Sequence, residues 1–550
     1  MLEDFDPQQI RDLAGARQAL VLLLNLVESL QAENQQLRKQ VQELRDEINH
    51  LKGEQGKPDI KPKRRKRNAS AYSSERERQQ PRERKKGRKV ERIQIDRCEE
   101  LDVAPERLPA DAEFKGYEEV TVQDLVVRTD NILFRKRKYY SASEGQSYLA
   151  PLPRGYEGAF GPGIKSLVIV MHYGMQSTEP KIREFLAHWG IQISTGQLSN
   201  LLIQDQDTFH AEKEAIYAAG LRSSPWQHID DTAARVDGHN QHCHVVCNPL
   251  YSAYFTTEKK DRLTVLDVLR NSQERYFLLN DEAYALLHTL GLSPRVIRQL
   301  HVLPHDQEVR EDEWATLLKH HLPTLGPQQR QWVLDATAIV AYHAQTTFPI
   351  VQALVCDDAP QFKLLTAEML LCWIHDGRHY KKLTPCIPYH RQLLTDFRQR
   401  YWDFYQQLRT YRERPTTVDR MRLNNEFDTL FATVTGYDDL DARIAKTRAK
   451  KAALLLVLEH PEIPLHNNPA ELAVRKQVRR RKISFGTRSP EGTQAWDTFA
   501  TLAATTKKLD VSFFAYIFDR VSHAYALPSL AELIATRAAQ LPLGASWLPA

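Results

Sequence analysis

WQHIDDTAARV (Trp226–Val236) is followed at once by HCHVVCNPLYSAYFTTEKKDR (His242–Arg262), and the reading of this stretch decides the fold. The first segment is an apolar-flanked strand running into an acidic pair, Asp230 and Asp231. Two further strands follow, about His242–Cys247 and Tyr251–Thr257, with Asn248-Pro249 as the turn, and a helix starts near Thr264. Downstream, IVQALVCDD (Ile350–Asp358) is a second strand ending in an acidic pair. HNNPAELAVRKQVRRRK (His466–Lys482) is a helix with a carboxylate, Glu471, in its first turn.

Three separated carboxylates suit a two-metal phosphoryl-transfer site. Mg²⁺ takes hard oxygen ligands, and two ions a few Å apart can stabilise both the attacking and the leaving oxygen. Each acid also has an ordinary structural explanation. Asp230 and Asp231 suit the end of a strand, and Asn468, Pro469 and Glu471 fit a capping box at N-cap, N1 and N3. The cluster His239, His242, Cys243, His244 and Cys247 resembles a zinc set only superficially. Strand alternation would send His242 and His244 to one face and Cys243 and Cys247 to the other.

Further out, Leu23, Leu30, Leu37, Leu44 and Leu51 recur every seven residues, each preceded by Leu20, Val27, Asn34, Val41 or Ile48. Leu at d with mostly Val or Ile at a, and a single polar Asn34 at a, predicts a parallel two-stranded coiled coil; the other reading is an amphipathic helix packed on its own core. The next segment changes the sign of the charge. The 550-residue chain has a formal net charge of only +5, yet Lys57–Arg92 alone carries 16 Lys/Arg against 5 Asp/Glu. With no apolar periodicity, this segment reads as a flexible basic arm, and Lys63, Arg64, Arg65, Lys66, Arg67, Lys85 and Lys86 are candidates for nucleic-acid phosphate.

Tyr117–Ala150 is rich in β-branched and aromatic residues and predicts short strands. Glu179–Gly190, the turn IQIS and Thr195–Ile203 have helix–turn–helix form. There Ile182, Phe185 and Leu186 share a face, Gly190 takes the left-handed turn and Ser194 caps the second helix; an ordinary helical hairpin fits as well. The polar, acidic N-terminus shows no signal peptide, and the apolar run Ala19–Val27 is well short of the ~20 residues that span a bilayer. The six cysteines form no C-x-x-C pair, which indicates reduced thiols in a cytosol.

Together these residues resemble bacterial DDE transposases of the insertion-sequence sixty-six type, from about Val120 to Val521. The resemblance is carried by HIDDTAARVDG (His228–Gly238), VVCNPL (Val245–Leu250), LVCDDAPQF (Leu354–Phe362), CWIH (Cys372–His375) and, most specifically, HNNPAELAVRKQVRRRKISFGTRSPEG (His466–Gly492). It implies an RNase H-like α/β catalytic core with a large α-helical insertion, alongside the N-terminal coiled coil and helix–turn–helix, in a helix-rich multidomain chain. Matched by motif, the catalytic, metal-holding acids are Asp230, Asp357 and Glu471, with Asp231 and Asp358 as fallbacks. His375, Asn467 and Asn468 support the site. Arg475, Lys476, Arg479, Arg480, Arg481 and Lys482 are phosphate clamps or a solvated basic face. The aromatic stripe Phe397, Tyr401, Trp402, Phe404, Tyr405 and Tyr411 is better explained as a packed helix than as a DNA surface.

The implied cofactor is Mg²⁺, with Mn²⁺ as the alternative, two ions per site. The implied partners are double-stranded DNA (terminal inverted repeats and target), a second copy through the coiled coil, and accessory proteins of the same element. The implied location is the bacterial cytoplasm, at the nucleoid. On this reading the chain divides into a dimerisation helix (1–52), a basic linker (53–94) and a β-rich module (95–162). Helix–turn–helix helices (163–220) and the first part of the core (221–363) come next. The insertion (364–464), the second part of the core (465–510) and a helical tail (511–550) complete it. Members of the family often carry a cysteine-pair zinc module near 95–120, where this chain has only Cys98, and an acid where it has His466. Thr264–Ile350 matches no specific expectation. A zipper, basic arm and helix–turn–helix would equally serve a non-catalytic transcriptional regulator; the three acids in matched motifs argue for catalysis, in an active enzyme or an inactive relic.

Overall fold

A computed structural model describes residues 12–51, 94–104, 107, 109, 112–271, 273–541 and 543–547. The basic arm from Lys57 to Arg92, with all seven of its candidate phosphate contacts, lies outside the described residues.

The heptad segment forms one continuous helix, α1 (Leu13–Leu51). Its Leu20, Leu23, Val27, Leu30, Leu37, Val41, Leu44 and Ile48 side chains are all exposed in the single chain. A different face holds α1 to the body. The Glu28 carboxylate is buried, where it accepts hydrogen bonds from the Cys386 and Ile387 amides and from His390 Nδ1, while Asn25 bonds Gly436 and Asp438. Val21, Asn25, Glu28 and Gln35 occupy b and f positions when the leucines are placed at d, so the a/d seam stays uncovered. By length and composition α1 could also cross a membrane over Leu13–Ile48.

Residues 112–137 form no strand, and Val122, Leu125, Val126 and Leu133 are about four-fifths exposed. The strands expected over Tyr117–Ala150 appear only as the hairpin β1 (Lys138–Ser141) and β2 (Gln146–Leu149). The β-branched residues before it meet no layer that would bury them, and without burial their strand preference has nothing to act on.

Helix α2 (Glu179–His188) and helix α3 (Thr195–Ile203) flank the expected turn. Gly190 takes φ +72°, Ser194 caps α3, and Gln197 completes a reciprocal capping box. Ile182, Leu186, Ile193, Leu198 and Leu202 are buried, whereas Phe185 is 39% exposed. Helix α4 (Asp207–Arg222) then leads to the central sheet.

That sheet has five strands: β3 (Trp226–Val236), β4 (His239–Cys247), β5 (Ser252–Thr257), β6 (Ala353–Cys356) and β7 (Glu368–Leu371). Their order is β5-β4-β3-β6-β7, the first three antiparallel and β3, β6 and β7 parallel. Strand β7 corrects the expected start of the insertion at residue 364. The short apolar run EMLL completes the sheet edge, and the insertion begins after it. Between β5 and β6 the unassigned stretch folds into helices and a small antiparallel pair, Tyr276–Leu278 with Glu308–Arg310; the last helix is α5 (Pro327–Ala344), whose buried Val333, Ala336, Ile339 and Val340 join the core.

The insertion consists of α6 (Trp373–Lys382), α7 (Pro388–Glu413), α8 (Thr417–Phe431) and α9 (Asp438–Arg448), with further short turns. All six aromatics of the α7 stripe are buried, as the packed-helix reading expects. The α6–α7 contact is close: a Cβ on Gly377 would meet the Trp402 ring at 2.6 Å. The chain then re-enters the core as α10 (Asn468–Ser484), which packs on β3 and β4, and α11 (Pro490–Lys508), which packs on β5.

Candidate active site

Strand pairing brings the first two acids together. β3 and β6 run parallel with His228 opposite Val355; continuing that register two residues sets Asp230 beside Asp357 and Asp231 beside Asp358. Alternation then separates each pair. On β4, Val245 lies opposite Asp230 and Cys243 opposite Thr232, and Cys243 accepts a hydrogen bond from Gln477 of α10. Asp230 therefore faces α10, which carries Glu471. Burial, and after it the facing Asp357 and then Glu471, push the Asp230 carboxyl up to about 7. No cation ranks among the groups that dominate its electrostatics.

The two neighbouring acids are engaged elsewhere. Asp231 accepts a 2.6 Å hydrogen bond from Gln361 and lies 3.7 Å from Lys260. Asp358 pairs with Lys363 at 2.8 Å and Lys450 at 2.5 Å, and those lysines hold its carboxyl below the usual range against the opposing effect of burial.

Glu471 is set by two brackets. Asn467, just before α10, donates to the Ile229 carbonyl at 2.7 Å and accepts from His228 Nδ1 at 2.9 Å, and its own amide meets Cys372 Sγ at 3.3 Å. This ties the start of α10 to the residue before Asp230. On the other side, Arg378 donates to Glu471 Oε2 at 3.2 Å and to His375 Nε2 at 2.8 Å. A guanidinium only donates, so His375 carries its proton on Nδ1, which lies 3.7 Å from Glu471 Oε1. Burial holds His375 below its usual pKa despite Glu471, leaving a neutral ring. The capping-box reading, with Asn468 as N-cap and Glu471 at N3, fails: Asn468 is already the first helical residue, the N-cap is Asn467 with no side-chain cap bond, and Asn467 and Glu471 both turn to tertiary partners.

Cys372, His375 and Glu471 offer ligand atoms within 4.8 Å of one another, yet this trio suits a soft metal poorly. Burial pushes the Cys372 thiol up to about 12, and the His375 nitrogens point at Arg378 and Glu471. A hard divalent ion fits the oxygen side better. Three carboxylates share the site, Asp230 is destabilised as an anion by its neighbours, and buried Glu471 Oε1 has no hydrogen-bond partner. The histidine–cysteine cluster of β4 does not converge. His244 bonds Thr257 on one side, and Cys243 bonds Gln477 on the other.

The basic residues of α10 divide into two sets. Arg480 stacks 3.5 Å from the Trp496 ring centroid, and burial lowers its pKa to about 10. Lys476 is likewise lowered to about 8 by burial. Arg481 bonds the Ala233 carbonyl. Arg475, Arg479 and Lys482 are exposed, at spacings of four and three on one helical face. Asn468 is buried at the first turn. His228, Arg378, Lys450 and Gln361 escape a sequence reading. Only Arg378 leaves a hint, three residues after His375 on a helix.

The mixed five-stranded sheet thus carries Asp230 and leads into Asp357, helix α10 packed on it carries Glu471, and a helical insertion separates the second acid from the third along the chain. The comparisons supply the family. The model of the Transposase IS66 family matches residues 157–289 and 337–495, and the chain belongs to that family. A relative in Sinorhizobium fredii, the uncharacterized protein y4jO, is 32% identical over 324 residues, 58% of this chain and 99% of the relative.

Proposed function

We propose that this transposase cuts and joins DNA at the ends of its insertion sequence by a DDE mechanism, with Asp230, Asp357 and Glu471 holding two Mg²⁺ ions, or Mn²⁺ in their place. The observation that carries the reading is that Asp357 and Glu471 both act on the buried Asp230 carboxyl to raise it, while Asp231 and Asp358 are engaged by lysines. The sheet order β5-β4-β3-β6-β7, with the parallel β3–β6 pair at its centre, supports an RNase H-like core. When bound, the ions would supply Lewis-acid activation of water or a 3′-hydroxyl and stabilise charge on the leaving oxygen.

The chain's own groups do the positioning. Asn467 fixes the distance from α10 to β3, and Arg378 with His375 orients Glu471. Lys450, bonded to Asp358 and near Asp376 of α6, couples the insertion to the second acid's loop. Exposed Arg475, Arg479 and Lys482 grip phosphates beside the acids, while the basic arm and the α2–α3 pair bind the terminal repeats. The uncovered a/d seam of α1 supports a parallel dimer that presents two arms. Binding of Glu28 to the protein's own insertion favours this role for α1 over a membrane span. Accessory proteins of the same element would join the complex, in the cytoplasm at the nucleoid.

The test is a plasmid excision and strand-transfer assay with purified chain, the element's ends and Mg²⁺. Mg²⁺-dependent products that vanish in Asp230→Asn, Asp357→Asn and Glu471→Gln sustain the reading. Products that persist in all three refute it.

A further inference from the structure

Helix α10 ends in an unusual turn. Phe485 takes φ +61° and ψ −40°, and the Gly486 amide bonds the Ser484 carbonyl at 2.7 Å, closing a three-residue γ-turn of the rare, strained hand. A phenylalanine gains nothing from this backbone, and its ring is not repaid by burial, since Phe485 is 74% exposed.

The surroundings impose the conformation. Thr487 pairs with the end of β3 through hydrogen bonds to the Arg235 carbonyl and from the Asp237 amide, and its hydroxyl meets Thr493. Gly486 runs so close to β3 that a Cβ there would sit 2.2 Å from the Arg235 carbonyl oxygen. The ring is thus held outward by a turn stapled to the strand that carries Asp230. Strain of this kind, over-determined by its neighbours, is found where a side chain must be presented.

The position of the ring gives it a ligand. Glu471, Arg475, Arg479, Lys482 and Phe485 follow one another at intervals of four, four, three and three, on one face of α10 and its terminal turn. Arg475, Arg479 and Lys482 are exposed; the neighbouring Arg480 and Arg481 are turned inward to Trp496 and Ala233. The face is therefore a cationic track that begins at the third acid and ends, about 21 Å away along the helix, at an exposed aromatic ring. A backbone-tracking line of cations with an aromatic platform is the chemistry of single-strand recognition, in which phosphates follow the charges and a base stacks on the ring.

We propose that this face binds an unpaired DNA strand, with Phe485 stacking on a base a few nucleotides from the phosphate held at the acids. The proposal rests on the DNA-binding reading above and adds to it a strand-separated segment and the residue that holds it.

The test uses the full chain with oligo(dT) of about 16 nucleotides carrying one 5-iododeoxyuridine, and a mixed-sequence duplex of the same length. Phe485→Gly relieves the positive-φ strain, so it should melt no lower than wild type. It is expected to weaken oligo(dT) binding about tenfold while leaving duplex binding within roughly twofold. Phe485→Trp should restore oligo(dT) binding, and iodouridine should photocrosslink to position 485. Unchanged oligo(dT) affinity in Phe485→Gly, or equal loss on both probes, overturns the proposal and leaves the DNA reading standing. Wild-type protein that binds neither probe overturns both.

Discussion

Asp230 and Asp231 leave β3 toward opposite faces, and the two carboxyls end in opposite electrostatic settings: one among acids, the other beside Lys260 and Gln361. The same division applies to Asp357 and Asp358, which makes the paired substitutions informative. Asp357→Asn should keep DNA binding and lose Mg²⁺-dependent cleavage to background. Asp358→Asn should cost at most about tenfold, because it frees Lys450 and Lys363 without removing a facing oxygen. Single-turnover cleavage of a labelled end reads both.

Asp230 also predicts a pH dependence. Its folded pKa, about 7, lies above the ordinary value of about 3.9, so the folded chain holds a proton that the unfolded chain releases. In the absence of metal its contribution is fully favourable below pH ~4 and is lost as pH rises toward ~7. Mg²⁺ should reverse the loss, raising stability by about 2.7 kcal/mol at a hundredfold excess over Kd and releasing protons near neutral pH. Calorimetric melts at pH ~6 and ~8 with and without Mg²⁺ check this, and Asp230→Asn should flatten the Mg²⁺-sensitive part of the pH slope and remove the proton release.

At the scale of elements, α1 has two working faces that do not compete. The b/f face is latched by Glu28 at the N-terminus of α7, where backbone amides and the helix dipole favour an anion. Burial alone would raise the Glu28 carboxyl; bonds from Cys386, Ile387 and His390 outweigh it and hold the group below its usual range. A depressed carboxyl contributes stability above its unfolded pKa of about 4.3 and loses it as pH falls through the lower folded value. The latch should therefore hold at neutral pH and open under acid. Glu28→Gln should weaken it by about 1–3 kcal/mol at pH 7, seen as faster hydrogen exchange over residues 13–51 with the catalytic core unchanged.

For the whole molecule, the uncovered a/d seam predicts association through α1. Light scattering should give a dimer for wild type and a monomer for Leu30→Glu/Leu37→Glu, whose charges would face each other across the seam. Asn34→Leu should still associate but lose its restriction to two strands. A mass that does not change in the double charge variant would show that this seam does not join the copies. A latched α1 would link such a dimer to the insertion, and Lys450 links the insertion to the second acid's loop, so the described chain holds a set of contacts from α1 toward the acids.

Much of this architecture can be read in the residues themselves. Local periodicity and turn chemistry are enough for the heptads of α1, the strands around Asp230 and Asp357, the Ser194 cap and the buried aromatic stripe of α7, because each depends on neighbours within a few positions. The family motifs single out the three acids proposed to hold metal. Other features are non-local. The edge strand β7 needed β6 as its partner, and the strands expected before residue 138 had no partner to bury them. Which carboxylate of each acidic pair would face Glu471 depended on where α10 lay across β3. The capping reading of Glu471 failed for the same reason: Arg378, His375 and Asn467 come from elements distant in sequence, and only their packing turned a local helix signature into a bracketed site. The exposed ring of Phe485 likewise becomes conspicuous only once β3 forces the turn that carries it.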